Sequence, residues 1–389
     1  MGDTKVAAIL VTKVVDRRVD VLRLIQEVAH KRQVSKYRVA MEMIRRKLNR
    51  QRISYHDYFL FGMHRPEMTA AERDAFLGVA PITALNVALA PVDRGSLSGL
   101  LRNKILTTMV LDQAGIATAR IRGLYVTQGD PRPFHQLRSA QEIADFLLQS
   151  GVLPVFGKPM NGSRSLGVVS ILAVAEPGML QLGDGRVVAA LDLAQEIVAG
   201  YPDGYMFQDL LVPHPALAQL AGPALSSLRV VSVWDNGAPQ QLYAVLRLPA
   251  PGAMADDFPA GLQNGMAWFA LETGQLIRAQ GSLKPGGQDL LTAPATGQAL
   301  AGFQMPDWPA LRTLARDAHA LFPLQTMVGV DLALTDKGPV VNEINTNPLH
   351  TLYQRASGRG FLNPEFKPLL LRALAAQGVT KRQRGLPLP

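Results

Sequence analysis

The run VGVDLALTDKGPVVNEINTNP, from Val328 to Pro348, restricts the possible folds more than any other stretch. Two stretches rich in Val, Ile and Leu flank Asp336-Lys337-Gly338, a turn sequence, so the pattern predicts a β-hairpin within a sheet. Glu343, Asn345 and Asn347 then fall at every second position before Pro348 ends the run. Alternate residues of a strand share a face, so an acid and two amides project together. With Lys337 at the centre of the turn, Asp331 stands opposite Glu343, and directly opposed side chains sit about 5 Å apart. Two carboxylates at that distance repel unless a cation lies between them. Asn345 adds a carbonyl oxygen, so Asp331, Glu343 and Asn345 form a set of hard donors suited to magnesium. A turn one residue longer or shorter would shift the pairing. The same letters also suit an edge carboxylate and a polar strand end.

A second stretch, KPMNGSRSLGV from Lys158 to Val168, joins two strand-like runs through small residues. Glycine lets backbone N–H groups approach phosphate oxygens, and serine hydroxyls add donors. No G-K-[ST] leads into a helix, so this is not a Walker A loop. Lys158 leaves a buried strand just ahead of the loop, as suits a cation meant for phosphate. Taken alone, the loop also fits an ordinary hairpin turn. Lys104 is a second candidate inside an apolar helical run, where a lysine can equally snorkel to the surface.

The rest of the chain alternates strand and helix signals. PVFGKP, GVVSILAV, SLRVVSVW and QLYAVLRL read as strands, the last two joined by a DNGAP turn. LRNKILTTMVLDQAGI reads as a helix ending at Gly115, with further helices over Leu311 to Leu321 and roughly Pro364 to Gln377. Before Pro66 no proline interrupts, and Val19, Leu22, Ile25 or Gln26, Met41, Ile44 and Leu48 recur at helical spacing. HDYFLFG reads as a short connection, and Thr69 as the N-cap of a helix over AAERDAFL. No strand followed by a glycine-rich turn opens the chain, so it is not a Rossmann half. The class is α+β. Four units are expected: a helical domain over residues 1–85, a first lobe over 86–205, a second over 206–378 and a basic tail over 379–389.

Composition narrows the function classes. A chain that is 48% hydrophobic and 18% charged can bury a core. No apolar run approaches the roughly 20 residues needed to cross a bilayer, and no secretory signal is read, so a cytoplasmic location is expected. Without cysteine there is no disulfide, thiolate metal site or cysteine nucleophile. Between Lys13 and Arg52 stand 13 Lys or Arg against 4 Asp or Glu, which accounts for the whole net charge of +9. Such a segment suits a solvated helical face, an anionic membrane surface or an acidic partner. No aromatic interleaves the basic residues before Tyr37, so nucleic acid is not expected.

In this order, a helix lysine, a strand-lysine-glycine loop, a connecting strand and an Asp…Glu-x-Asn hairpin resemble the ATP-grasp nucleotide site. YHDYFLFGMHRPEMTAAERDAFLG, FQDLLVPHPALAQL, AVLRLPAPG and SGRGFLNPEF resemble the sugar-transfer associated ATP-grasp group in particular. The resemblance implies two α+β lobes holding ATP between them, with the helical domain in place of a Rossmann-like one. It implies that Lys104 and Lys158 contact the phosphates beneath a lid formed by Gly162, Ser163, Ser165 and Gly167. It places Asp209, Leu210 and Val212 of FQDLLV against adenine, and Asp331, Glu343 and Asn345 around Mg2+. Arg229 and Arg247 would meet the γ-phosphate and a substrate carboxylate. His350, Arg355 and Arg359 are candidates for an acidic or sugar-linked acceptor.

The implied reaction is ligation of a small-molecule carboxylate to an amine, forming an amide or peptide bond through an acyl phosphate as ATP becomes ADP and phosphate. A kinase acting on a hydroxyl and a non-catalytic nucleotide-binding partner in glycan assembly remain alternatives. The basic helices could serve peripheral membrane or protein contact, and a homo-oligomer is compatible. Three departures from the pattern stand out. DDFPAGL replaces a DNFHAGG loop, the glycine loop carries a bulky Arg164 suited to a phosphate contact or to facing water, and Gly329 stands where D-alanine–D-alanine ligases place an arginine. Any role of that arginine must therefore fall to another.

Overall fold

Side-chain caps set where the first helices begin. The computed structural model describes residues 8–10, 20–90, 94–161, 166–255, 264–281 and 289–378. The basic opening forms α1 (Val21–Arg32), α2 (Lys36–Leu48), α3 (Tyr55–Leu60), α4 (Ala70–Asp74) and α5 (Val79–Ala88). Asp20, Ser35, Ser54 and Thr69 each accept an amide of the following first turn. Thr69 forms a full capping box with Glu72, as its sequence predicts. HDYFLFG is not a mere connection: Ser54 caps it and it folds as α3.

The aromatic side chains Tyr58 and Phe59 of α3 decide how α1 and α2 turn. They draw Leu24, Val28, Val39 and Met43 into a shared core. The residues whose spacing announced these helices face the other way: Leu22, Met41, Ile44 and Leu48 are exposed. Ile25 is partly buried, and Val19 lies outside the described residues. Nor do residues 1–85 form one unit. The amides of Ile9 and Leu10 donate to the Glu196 carboxylate at 2.8 Å each, far from the helices in sequence, and both side chains join another core.

The chain continues through α6 (Arg94–Arg102), α7 (Lys104–Gln113), β1 (Ile121–Tyr125), β2 (Gln136–Leu137) and α8 (Ala140–Leu148). Next come β3 (Val155–Pro159), β4 (Val169–Glu176), β5 (Met179–Leu182), β6 (Val187–Ala189), α9 (Ala190–Gly200), β7 (Tyr205–Asp209) and α10 (Pro215–Ala221). The remaining elements are β8 (Ser227–Asp235), β9 (Ala238–Leu248), β10 (Gly265–Phe269), β11 (Leu276–Gly281), α11 (Trp308–Ala320), β12 (Met327–Thr335), β13 (Gly338–Asn345), α12 (Thr351–Ser357) and α13 (Phe366–Ala376).

Two sheets result. One has seven strands in the order β2-β1-β7-β3-β4-β5-β6, and the other six antiparallel strands in the order β11-β10-β9-β8-β12-β13. Helices α8 and α9 bury the first sheet's inner face through Ile143, Leu147, Leu193 and Ile197. The second sheet is covered on both sides. Leu101, Leu111, Leu217 and Leu311 pack on one face, and Leu85, Tyr353 and Leu370 on the other. Helices α5, α6 and α7 therefore side with the six-stranded sheet, which corrects the expected lobe boundary at residue 86. Beyond them α7 also touches the seven-stranded sheet, through Ile105 against Ile121 and Met206. Strand β7 lies within the seven-stranded sheet and does not open the second lobe, because Phe207 pairs with both Gly123 and Gly157. The tail, 379–389, lies outside the described residues.

Candidate functional site

The hairpin reaches its expected pairing by an unexpected route. Asp331 does stand opposite Glu343, yet Thr335 pairs with Gly338, so the turn holds two residues and is not centred on Lys337. A regular ladder from that turn would put Asn342 opposite Asp331. A bulge between the Asp331 and Leu332 pairs inserts Asn342 and restores the pairing. The bulge has a consequence for facing. Val341 and Ile344 are both buried in the core, three residues apart, so Asn342 and Glu343 both turn to the other side. That side is a cleft of about 930 Å³ between the sheets, lined by Asn342, Glu343, Asn345 and Asn347 from this segment. Asn342 is a site residue that strict alternation hides.

Strand β12 is buried at every position, and Asp331 is its sole charge. An uncompensated carboxylate there would cost several kcal/mol. The compensating cation is a guanidinium. Arg229, directly paired on β8, donates through Nε and a terminal nitrogen to the two Asp331 oxygens at 2.6 Å each. Arg247 from β9 lies 3.8 Å from the same carboxylate. Burial alone would raise the Asp331 pKa, but Arg229, with Arg247 beside it, holds it below the ordinary carboxylate value. The repulsion expected between Asp331 and Glu343 is therefore already relieved by Arg229. Gly329 lies beside this pair. A Cβ there would fall 2.9 Å from Pro348 and at an ordinary 3.7 Å from the Arg229 Cδ, so Pro348 takes the space that a side chain at 329 would fill.

Across the cleft, Lys158 extends from β3 with only 8% of its surface exposed. Its ammonium lies 3.4 Å from the Asn342 side-chain oxygen. Burial lowers its pKa to about 8, opposed by Glu343 and assisted by Lys104. Lys104 also lines the cleft, but not from mid-helix: Asn103 breaks the run and caps α7, leaving Lys104 as the first helical residue. A cation at a helix N-terminus opposes the helix dipole, so its position is set by something other than helix stability.

Of the expected lid, Gly162, Ser163 and Ser165, with Arg164, lie outside the described residues, as does DDFPAGL. Gly167 is described, and it is clamped. Its φ is +72°, a Cβ would fall 1.9 Å from the Tyr201 hydroxyl, and its carbonyl accepts from the Tyr205 hydroxyl at 2.6 Å. Gly167 thus anchors the loop's exit, a role that only the fold exposes.

The remaining candidates divide. Leu210 and Val212 line the cleft, with Leu211 between them. Asp209 does not: its carboxylate turns to Arg122 at 3.4 Å. Arg355 lines the cleft, its pKa lowered to about 10 by burial against the pull of Asp57. His350 is removed from it. The ring is fully buried, stacked on Phe361 at 3.7 Å, with Nδ1 2.8 Å from the Tyr243 hydroxyl and Nε2 2.9 Å from the Asn86 oxygen. Both ring nitrogens are used, so it cannot meet an acceptor. Arg359 pairs with Glu365 at 2.7 Å over the Trp268 ring and does not line the cleft either. Asn86, which the sequence reading missed, donates to the Asn347 side chain and to the Pro348 carbonyl. It ties α5 to the end of the polar strand.

Two sheets facing a cleft of nucleotide size, with lysines on one wall and oxygen donors on the other, define an ATP-grasp fold. The chain belongs to the sugar-transfer associated ATP-grasp family, whose pattern matches residues 89–367. Among solved structures it is similar to D-alanyl-alanine synthetase A from Vibrio cholerae, at 16% identity and a TM-score of 0.42, covering 72% of this chain and 66% of that one. D-alanine–D-alanine ligase from Bacillus anthracis matches at 15% identity and a TM-score of 0.39, covering 78% and 77%. An L-amino acid ligase from Bacillus licheniformis matches at 15% identity and a TM-score of 0.34, and this chain spans 40% of its length. Among curated proteins none matches.

The donor set fits a magnesium ion. Glu343 is half-buried in the cleft wall, and the Asn345 amide stands beside the Asp331 carboxylate, helping to hold its pKa down. With its nitrogen toward Asp331, the Asn345 side-chain oxygen is left as a ligand. Asp331 keeps lone pairs beyond those that Arg229 occupies.

Proposed function

We propose that the protein is an ATP-dependent carboxylate–amine ligase that forms ADP and phosphate. The observation that carries this reading is the convergence of Lys104, Lys158, Arg229, Arg247, Glu343 and Asn345 on one cleft between two sheets. Lys158 and Lys104 bind the phosphates, and the apolar strip at Leu210, Leu211 and Val212 takes the adenine. Glu343 and Asn345, with Asp331, would hold Mg2+, which when bound neutralises phosphate charge.

The nucleophile is inferred from what surrounds it. Among the described residues lining the cleft there is no histidine, and its two carboxylates are Asp331, held by Arg229, and Glu343. A hydroxyl would need a base there. A carboxylate arrives already ionised and suits the guanidinium of Arg247, and that favours a ligase over a kinase. Its oxygen attacks the γ-phosphorus of ATP, the bond to the β,γ-bridging oxygen breaks, and ADP leaves carrying that electron pair. An amine then attacks the acyl carbon, phosphate departs, and the amine's proton passes to solvent. Buried cations fixed before reaction stabilise the charge on the transferring group without reorganising. Arg355 is the remaining cation for an acidic acceptor.

Glu343→Gln removes one ligand charge at a half-buried position. It should abolish ADP formation while leaving thermal unfolding unchanged. With hydroxylamine as the amine, wild type should yield a hydroxamate of the carboxylate substrate. Phosphoryl transfer to a hydroxyl with no hydroxamate would replace the ligase reading by a kinase.

A further inference from the structure

We infer that the outer face of α2 is a docking surface for an anionic lipid bilayer. Helix α2 carries two apolar stripes. Val39 and Met43 enter the helical core. Tyr37, Met41, Ile44 and Leu48 stand in register on a different face, spaced by four, three and four residues, and are 75%, 63%, 37% and 79% exposed. Single exposed apolar side chains are ordinary, but a stripe in helical register is not. Exposures of this size belong to a convex ridge, and none of the four lines the cleft.

The flanks of the ridge indicate what covers it. At about 100° per residue, Arg38 and Arg45 fall on one side of the stripe and Lys36 and Lys47 on the other, and all four are exposed. Arg38 lies 3.8 Å from Glu42, and the Lys47 ammonium lies 4.2 Å over the Tyr55 ring, yet both keep contact with solvent. Long basic side chains flanking an apolar ridge form the amphipathic pattern of an interfacial helix, whose apolar side enters the bilayer while its cations reach the headgroups. Charge selects among occupants. Helix α2 holds five Lys or Arg against one Glu, so a second copy would bring like charges together. Anionic headgroups neutralise them. An acidic protein would also need a groove shaped to the ridge, whereas a bilayer deforms around it.

The test is flotation of the full chain with vesicles of phosphatidylcholine, with and without phosphatidylserine, over a range of salt. Binding should require phosphatidylserine and weaken as salt rises. The double variant Met41→Asp, Leu48→Asp should bind at least about tenfold less tightly. Both positions are solvent-facing, so circular dichroism and the urea midpoint should be unchanged. Lys36→Gln with Arg45→Gln should weaken binding while keeping the apolar stripe. Absence of binding to phosphatidylserine vesicles, or equal binding by the double variant, overturns the proposal. So does self-association by light scattering that the double variant abolishes while vesicles are ignored, since the face would then join two copies. These readouts do not depend on the ligase reading.

Discussion

At the scale of single residues, Arg229 holds the site together. Its two bonds to Asp331 join neighbouring strands, and they also make it possible for a carboxylate to lie in a fully buried strand. Arg229→Gln leaves that charge with Arg247, 3.8 Å away, and the Asn345 amide. Breaking a buried pair from one side costs about 3–5 kcal/mol, so the variant should lose about that much stability in urea titrations. Arg229→Met with Asp331→Leu removes both charges, and it should recover most of the stability without recovering ADP formation. A double variant as unstable as the single one would show that the pair does not act as a unit.

At the scale of elements, the β13 bulge decides which side chains face nucleotide. Deleting Asn342 should leave Val341, Glu343, Ile344 and Asn345 in plain alternation, with Glu343 still opposite Asp331. The deletion and Asn342→Ala should therefore fold alike, and both should raise the KM for ATP roughly three- to tenfold through loss of the Lys158 partner. A deletion that cannot fold while Asn342→Ala does would refute this account of the strand. The bulge also explains what could be read in advance. Strand identity, the hairpin and the facing of Asp331 and Glu343 follow from local patterns that the sequence displays. The turn length and the bulge do not, because each shifts register by one residue and the two shifts cancel. Similarly, His350 and Arg359 sit beside the polar strand in sequence, where proximity suggests a role. Their partners, Tyr243, Asn86 and Glu365, come from packing that no local pattern encodes.

At the scale of the whole molecule, two buried histidines connect parts distant in sequence, and a third, mostly buried, packs locally. His64 packs against Tyr58 and Phe59 in the helical core. His319 joins α11 to β8 through Ser232 at 2.6 Å, and His350 joins the chain after β13 to β9 and α5. Acceptor-only partners fix the protons of the last two on Nε2, facing the Gln325 carbonyl and the Asn86 side-chain oxygen. Burial, the largest cause for each, lowers the pKa from 6.5 to about 4 for His64, about 4 for His319 and about 3 for His350. The unfolded chain therefore binds more protons than the folded one below pH about 6.5. This part of the stability is fully present above that pH and is lost as pH falls toward 4. Each histidine contributes a slope of up to about 1.4 kcal/mol per pH unit. Three such slopes are steep against the 5–15 kcal/mol typical of a folded domain. Urea midpoints should thus fall sharply between neutral pH and pH about 5, before most carboxylates titrate. His319→Gln should reduce that slope by about a third, and a slope unchanged by it would mean that His319 is not held neutral by the fold.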